Sequence, residues 1–277
     1  LALADLEYLL LRLARRFLFT AVRLERLGRV LPYYRVNQGR RDPWSVARAC
    51  REALAAMGAD LPGRRVLEIG SGATNALGYA LAADGAAGVI CLEPFIPQDA
   101  RQDARLRAAA AAGRPGVDLS RVTRAADLAA VPEASVDLVV SNSVLEHVAD
   151  PAGLLAGLAR VLVPDGLMVH RVDYRDHFFK YPYHFLKFSA PVWRRFLDPG
   201  DLPRWRLDDH LAALARAGFA TTVLDVTRDQ PAFDRIAPNL HPDFQARDPA
   251  MLAVATATLG CWRRGGEGED ASGGRGA

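Results

Sequence analysis

From residue 65 onward the chain alternates short apolar runs, such as Val66-Leu67 and Val89-Ile90-Cys91-Leu92, with alanine-rich stretches. Strands buried on both faces read as continuous apolar runs, and their alternation with helix formers predicts a parallel sheet built from βαβ units. The pattern places strands at 65–69, 88–92, 121–125, 136–140 and 166–173, and helices at 74–84, 98–112 and 152–162. Pro151 stands where the last of these should begin, a position that tolerates proline because no amide is needed there. A helix at 208–217, ended by Gly218, and strands at 219–226 and 250–262 complete the pattern. The expected architecture is α/β, a doubly wound, seven-stranded, mainly parallel sheet.

The region before the sheet follows a helical period. At about 100° per residue, Leu6, Leu10, Leu13, Phe17 and Leu24 share one face of residues 1–31, opposite Arg12, Arg15, Arg16, Arg23 and Arg26. Such a helix is expected to dock its apolar face on its own domain, and a second reading is a peripheral contact with anionic lipid. Pro32 ends this element, and Asp42-Pro43 predicts an N-cap and a second helix that stops near Gly58. The expected organisation is therefore an N-terminal helical extension at 1–60, a main domain at 61–264 and a disordered tail at 265–277. Within the main domain, residues 174–205 fit neither period and hold ten aromatic residues, an insertion placed to form a pocket wall.

Charge and cysteine usage narrow the classes. A formal net charge of +3 lacks the basic excess of a dedicated nucleic-acid binder. Cys50, Cys91 and Cys261 are widely spaced, which indicates neither a disulfide framework nor a zinc site and predicts a reducing, cytoplasmic location. Arginines interrupt the N-terminal leucines before they reach the roughly 18 apolar residues a membrane span needs.

The stretch Val66-Leu67-Glu68-Ile69-Gly70-Ser71-Gly72 is an apolar strand running into a tight turn. Glycines there let the backbone approach a ligand, and the following helix offers free N–H groups. Gly70, Gly72 and Gly78 do not have the dinucleotide spacing, and no Lys-Ser/Thr pair follows as in a phosphate-binding loop. Glu68 would repel pyrophosphate but attract an ammonium group, so the loop suits an amino acid moiety.

These residues resemble the class I S-adenosylmethionine-dependent methyltransferases, a Rossmann-like family, and more narrowly the small-molecule enzymes of types 11 and 12. The resemblance extends through Val136–Val148, with its Leu145-Glu146-His147-Val148, and through Ala159-Arg160-Val161-Leu162-Val163-Pro164-Asp165-Gly166. Thr74 and Asp165 depart from glycines often found in the family. The resemblance implies S-adenosyl-L-methionine as cofactor, approached by Gly70, Ser71 and Gly72, with Glu68 holding its amino group. It further implies that Glu93 accepts both ribose hydroxyls, Asp127 the adenine amino group, and that Asn142 lines the cofactor. For Asp127, a helix cap is an equally good physical reading.

Methyl transfer to a hydroxyl calls for a base that titrates near neutrality. His147, just beyond strand four, is the best-placed histidine, and the resemblance implies that it acts as the base with Asp173 from the end of strand five. His177 could reach the site from the insertion, with His170 and His184 as further candidates. No metal-ligand spacing stands out, which predicts a metal-independent reaction. The aromatic insertion has two equal readings, a surface that stacks on a ring or sugar acceptor and a small satellite core, to which some of its rings must belong. Asp176-His177-Phe178 and Phe185–Ser189, followed by Trp193, are similar to bacterial methyltransferases associated with surface-polysaccharide genes, which implies a glycan or other small-molecule hydroxyl. Alternatives are a lipid or quinone acceptor at a membrane, a non-catalytic cofactor-binding protein and a nicotinamide oxidoreductase. A nucleic-acid substrate is not expected, since Ser141-Asn142-Ser143-Val144 stands where a base-clamping Asn/Asp-Pro-Pro-Tyr would be.

Overall fold

The computed structural model describes residues 3–18, 42–177, 180–198, 200 and 202–264. A seven-stranded sheet runs β3 (Val122–Ala125), β2 (Gly88–Leu92), β1 (Arg65–Ile69), β4 (Val136–Asn142), β5 (Leu162–Asp173), β7 (Val254–Arg263), β6 (Phe219–Arg228). The first five are mutually parallel, while β7 is antiparallel to both β5 and β6. Strand order reverses between β1 and β4, and the crevice at their carboxyl ends is where ligands enter sheets of this kind.

Helices α1 (Leu3–Phe17), α2 (Pro43–Ala56), α3 (Ala76–Ala83), α4 (Ala100–Gly113), α5 (Pro151–Val161) and α6 (Leu207–Arg216) flank the sheet or its edge. Three begin on aspartate caps: Asp42 accepts from Trp44 N and Ser45 N, Asp99 from Gln102 N and Asp150 from Gly153 N. Val66, Leu138, Val140 and Cys91 face α2, α3 and α4, while Leu67, Ile69, Val139 and Met168 pack with residues of α5 and α6. The strand and helix positions agree with the sequence pattern within a few residues, with two informative differences. β5 begins at Leu162, earlier than the expected 166. The last strand begins at Val254, because Asp248 caps a helical turn at Pro249–Leu252 with proline at its start.

The expectation for α1 is overturned. Its leucine face does not dock: Leu6 is 48% exposed, Leu10 60% and Phe17 62%, whereas Asp5, Tyr8 and Arg12 are buried. Tyr8 Oη donates to Asp176 Oδ2 at 2.5 Å, and Arg12 pairs with the same carboxylate. Asp5 pairs with Lys187, and Glu7 accepts from Lys180 Nζ at 2.6 Å and from Tyr181 Oη at 2.5 Å. Tyr8 also stacks on Phe188. Amphipathicity marks two faces, and here specific polar bonds to the insertion decide which one turns inward. The remainder of the expected 1–31 helix, and the tail at 265–277, lie outside the described residues.

The aromatic insertion is largely core. Tyr183, Phe185 and Trp193 are buried with Phe233 and Phe244, and Phe178 and Phe179 lie outside the described residues. Of the two readings of these rings, the satellite core holds for the buried ones, which line no acceptor pocket. Beside them the fully buried Arg206 donates to the carbonyls of Tyr174, Leu252 (2.6 Å) and Val254 (2.7 Å), drawing β5, β7 and the insertion together.

Candidate active site

β1 delivers Glu68 and Gly70 to the crevice. Gly70 has φ +75° and Gly72 φ +66°, conformations that favour glycine. A Cβ on Gly70 would lie 2.5 Å from Val144 Cγ2, whereas one on Gly72 would meet nothing within 4 Å. The turn is thus packed against the chain after β4 on one side and open on the other. Glu68 is buried, and one of its carboxylate oxygens has no hydrogen-bond partner. Burial pushes its carboxyl up to about 7, an effect that the Glu93 charge adds to and that a hydrogen bond from Cys91 and the Arg124 charge oppose. A buried carboxyl lacking one partner beside an open glycine turn fits a cationic ammonium group.

Glu93, after β2, accepts from Gly72 N at 2.8 Å through one oxygen and from Phe95 N and Ile96 N at 3.0 and 3.1 Å through the other. It ties the glycine turn to the loop after β2 with three of its roughly four acceptor sites, and keeps about one, on Oε2, for a ligand hydroxyl. Arg124, at the end of β3, strengthens this tie and was not legible in the sequence. Its guanidinium reaches Ser71 Oγ and Asn75 Oδ1 at 3.1 Å each, Gly72 O at 2.6 Å and Ile96 O at 2.9 Å. Asp127 adopts the cap role, accepting from Ala129 N at 2.8 Å. Asn142 closes β4, half-buried beside the crevice.

The acceptor side gathers around the short helical turn after β4. His147 and His177 are half-buried with ring centroids 4.8 Å apart. Between the turn and β5 lies Glu146, buried, accepting from Asp173 N at 3.2 Å through one oxygen while the other has no partner. Burial pushes the Glu146 carboxyl up to about 8, with the charge of Asp173 acting in the same direction. One ligand atom from each of Glu146, His147 and His177 lies within 4.8 Å of the others, a clustering that residue spacing alone did not reveal. Asp173 is engaged elsewhere than expected: Arg175 binds it through two nitrogens at 2.9 and 2.7 Å. Burial works against its charge, but this pairing lowers the Asp173 carboxyl below its ordinary value, and His177 contributes in the same sense. His170 is a core residue on Ser141 Oγ at 2.8 Å, pushed down to about 3 by burial, and His184 sits beside Asp5 under α1.

A mixed sheet with its switch point between β1 and β4, a glycine turn there and two carboxylates reaching the same crevice make a Rossmann-like ligand-binding site. Residues 41–226 match the model of the methyltransferase-domain family; the chain belongs to this family and is an S-adenosylmethionine-dependent methyltransferase. Its relatives include a ubiquinone biosynthesis O-methyltransferase of Neisseria meningitidis, 30% identical over 178 residues, covering 61% of this chain and 72% of that protein. Another protein of that name, from Hahella chejuensis, is 31% identical over 157 residues, covering 53% and 62%. Among solved structures, phosphoethanolamine N-methyltransferase 2 of Haemonchus contortus, in complex with phosphomonomethylethanolamine and S-adenosylhomocysteine, superposes with a TM-score of 0.53 at 14% identity. It covers 91% of this chain and 59% of that one, a likeness of fold alone.

Proposed function

We propose that this methyltransferase methylates a hydroxyl of a small molecule, with His147 as general base. The observation that carries the proposal is the meeting of His147, His177 and the buried Glu146 at the end of β4. S-adenosylmethionine, when bound, supplies an electrophilic methyl group on its sulfonium. Glu68 then holds the ammonium group, Glu93 accepts from the ribose diol through its open Oε2 site, and Gly70 and Gly72 allow the backbone to approach. Asn142 lines the crevice, and Asp127 keeps its cap role at the adenine end. A ring nitrogen of His147 takes the proton that the acceptor hydroxyl loses as it attacks. His177 positions that ring from the insertion, while Asp173 acts through Arg175 and His177 rather than on His147.

The names of the curated relatives support a hydroxyl acceptor and favour a quinone-related ring over a sugar. Burial of Tyr183, Phe185 and Trp193 removes the stacking surface that would have favoured a glycan. A second reading has its own observation: the Glu146, His147 and His177 atoms are close enough to share a divalent cation, which would lower the acceptor's pKa directly.

The test follows S-adenosylhomocysteine release with phenolic, catecholic and sugar acceptors. His147→Ala should lower kcat by about 10²–10⁴ with product affinity, measured by calorimetry, unchanged. A variant as fast as the wild type would exclude His147 as the base. Turnover abolished by a chelator and restored by a divalent cation would establish the second reading.

A further inference from the structure

The bonds that seat α1 leave its other face bare. Leu3, Leu6, Leu10, Leu13 and Phe17 are 84%, 48%, 60%, 36% and 62% exposed and fall within about a quarter of the helix circumference. We propose that this face docks α1, lying flat, on an anionic lipid surface. The inward face is committed, because turning the leucines inward would break the bonds of Tyr8 and Arg12 to Asp176 and of Asp5 to Lys187.

The occupant follows from charge. Both carboxylates of α1 are engaged with the insertion, Asp5 by Lys187 and Glu7 by Lys180 and Tyr181. Beside the stripe Glu7 is spent on its ion pair with Lys180, while Arg16 is exposed at the end of α1, and Arg194 and Arg195 are exposed on the turn packed against it. That turn also presents Phe196, 41% exposed, with the Arg195 guanidinium 5.5 Å from its ring centroid. An apolar strip with exposed arginines on the same helix and on the turn packed against it suits negatively charged headgroups above acyl chains. Among the described residues no helix is long and apolar enough to cross a membrane, so the contact is peripheral.

The full chain is floated with vesicles of phosphatidylcholine, with and without phosphatidylglycerol. The wild type should rise with the anionic vesicles, less so in high salt, and remain behind with phosphatidylcholine alone. The double variant Leu6→Ser/Leu10→Ser should bind more than about tenfold less well, and Arg194→Gln/Arg195→Gln should lose the preference for anionic lipid. Both pairs are exposed, so thermal midpoint and S-adenosylhomocysteine affinity serve as controls for folding and should match the wild type. No flotation of the wild type, or equal flotation of wild type and leucine variant, would overturn the proposal. A wild-type dimer in light scattering that the leucine variant abolishes would also overturn it, assigning the face to a second copy.

Discussion

Glu68 and Glu146 are two carboxyls of one chemistry held in two uses, each raised by burial, to about 7 and about 8 respectively. A ligand ammonium favours the ionised form of Glu68, so affinity for S-adenosylhomocysteine should increase as pH rises through about 7, and binding at lower pH should release a proton. Calorimetry in two buffers of different ionisation enthalpy measures that proton, and Glu68→Gln should abolish it. Stability runs the opposite way: a carboxyl raised in the folded state contributes most below its ordinary 4.5, and this is lost as pH climbs through its folded value. Glu146→Gln, neutral at every pH, should flatten the alkaline fall in thermal midpoint, measured from pH 5 to about 9. Glu93→Ala removes an acceptor charge and three backbone contacts together. It should weaken S-adenosylhomocysteine binding by about 1.5–3 kcal/mol, read by calorimetric titration.

At the scale of elements, the glycine turn is held from two sides, by Val144 against Gly70 and by Arg124 across Ser71, Gly72 and Ile96. Gly70→Ala places a methyl group into Val144 at a left-handed φ, and should cost about 1–3 kcal/mol in urea unfolding. Val144→Ala in the same chain should recover the steric part of that loss but not the backbone strain. The strands were legible because buried parallel strands write themselves as apolar runs, and two helix starts because Asp42-Pro43 and Pro151 mark them locally. The orientation of α1 was not legible: a helical wheel separates Leu6 and Leu10 from Tyr8 and Arg12, but Asp176, which decides between them, lies far along the chain. Arg124 and Arg206 were missed for a related reason, since arginine ordinarily reads as solvent-exposed and neither shows in sequence the carbonyls it collects. Glu146 had a signal, its place beside His147, but residue spacing does not report burial.

For the molecule as a whole, the buried Arg12–Asp176 pair joins the helical extension to the acceptor side, one residue from His177. Asp176→Ala leaves a buried guanidinium without its counter-charge and should destabilise the protein by about 3–5 kcal/mol, seen as an earlier urea midpoint. Asp176 makes none of the hydrogen bonds that hold the glycine turn, so S-adenosylhomocysteine affinity should persist in the folded fraction, and a loss of both would place α1 in the cofactor half. The same pair bears on the order in which the chain is made. Tyr8 and Asp176 are 168 residues apart, and ribosomes add about 5–20 residues per second, so α1 is exposed for on the order of ten seconds before its anchor is synthesised. During that interval β1 to β4 can already pair, while an early helix with two uncommitted faces is available to any nascent-chain factor that binds apolar segments. Made 168 residues ahead of its anchor, α1 is among the last elements to be seated.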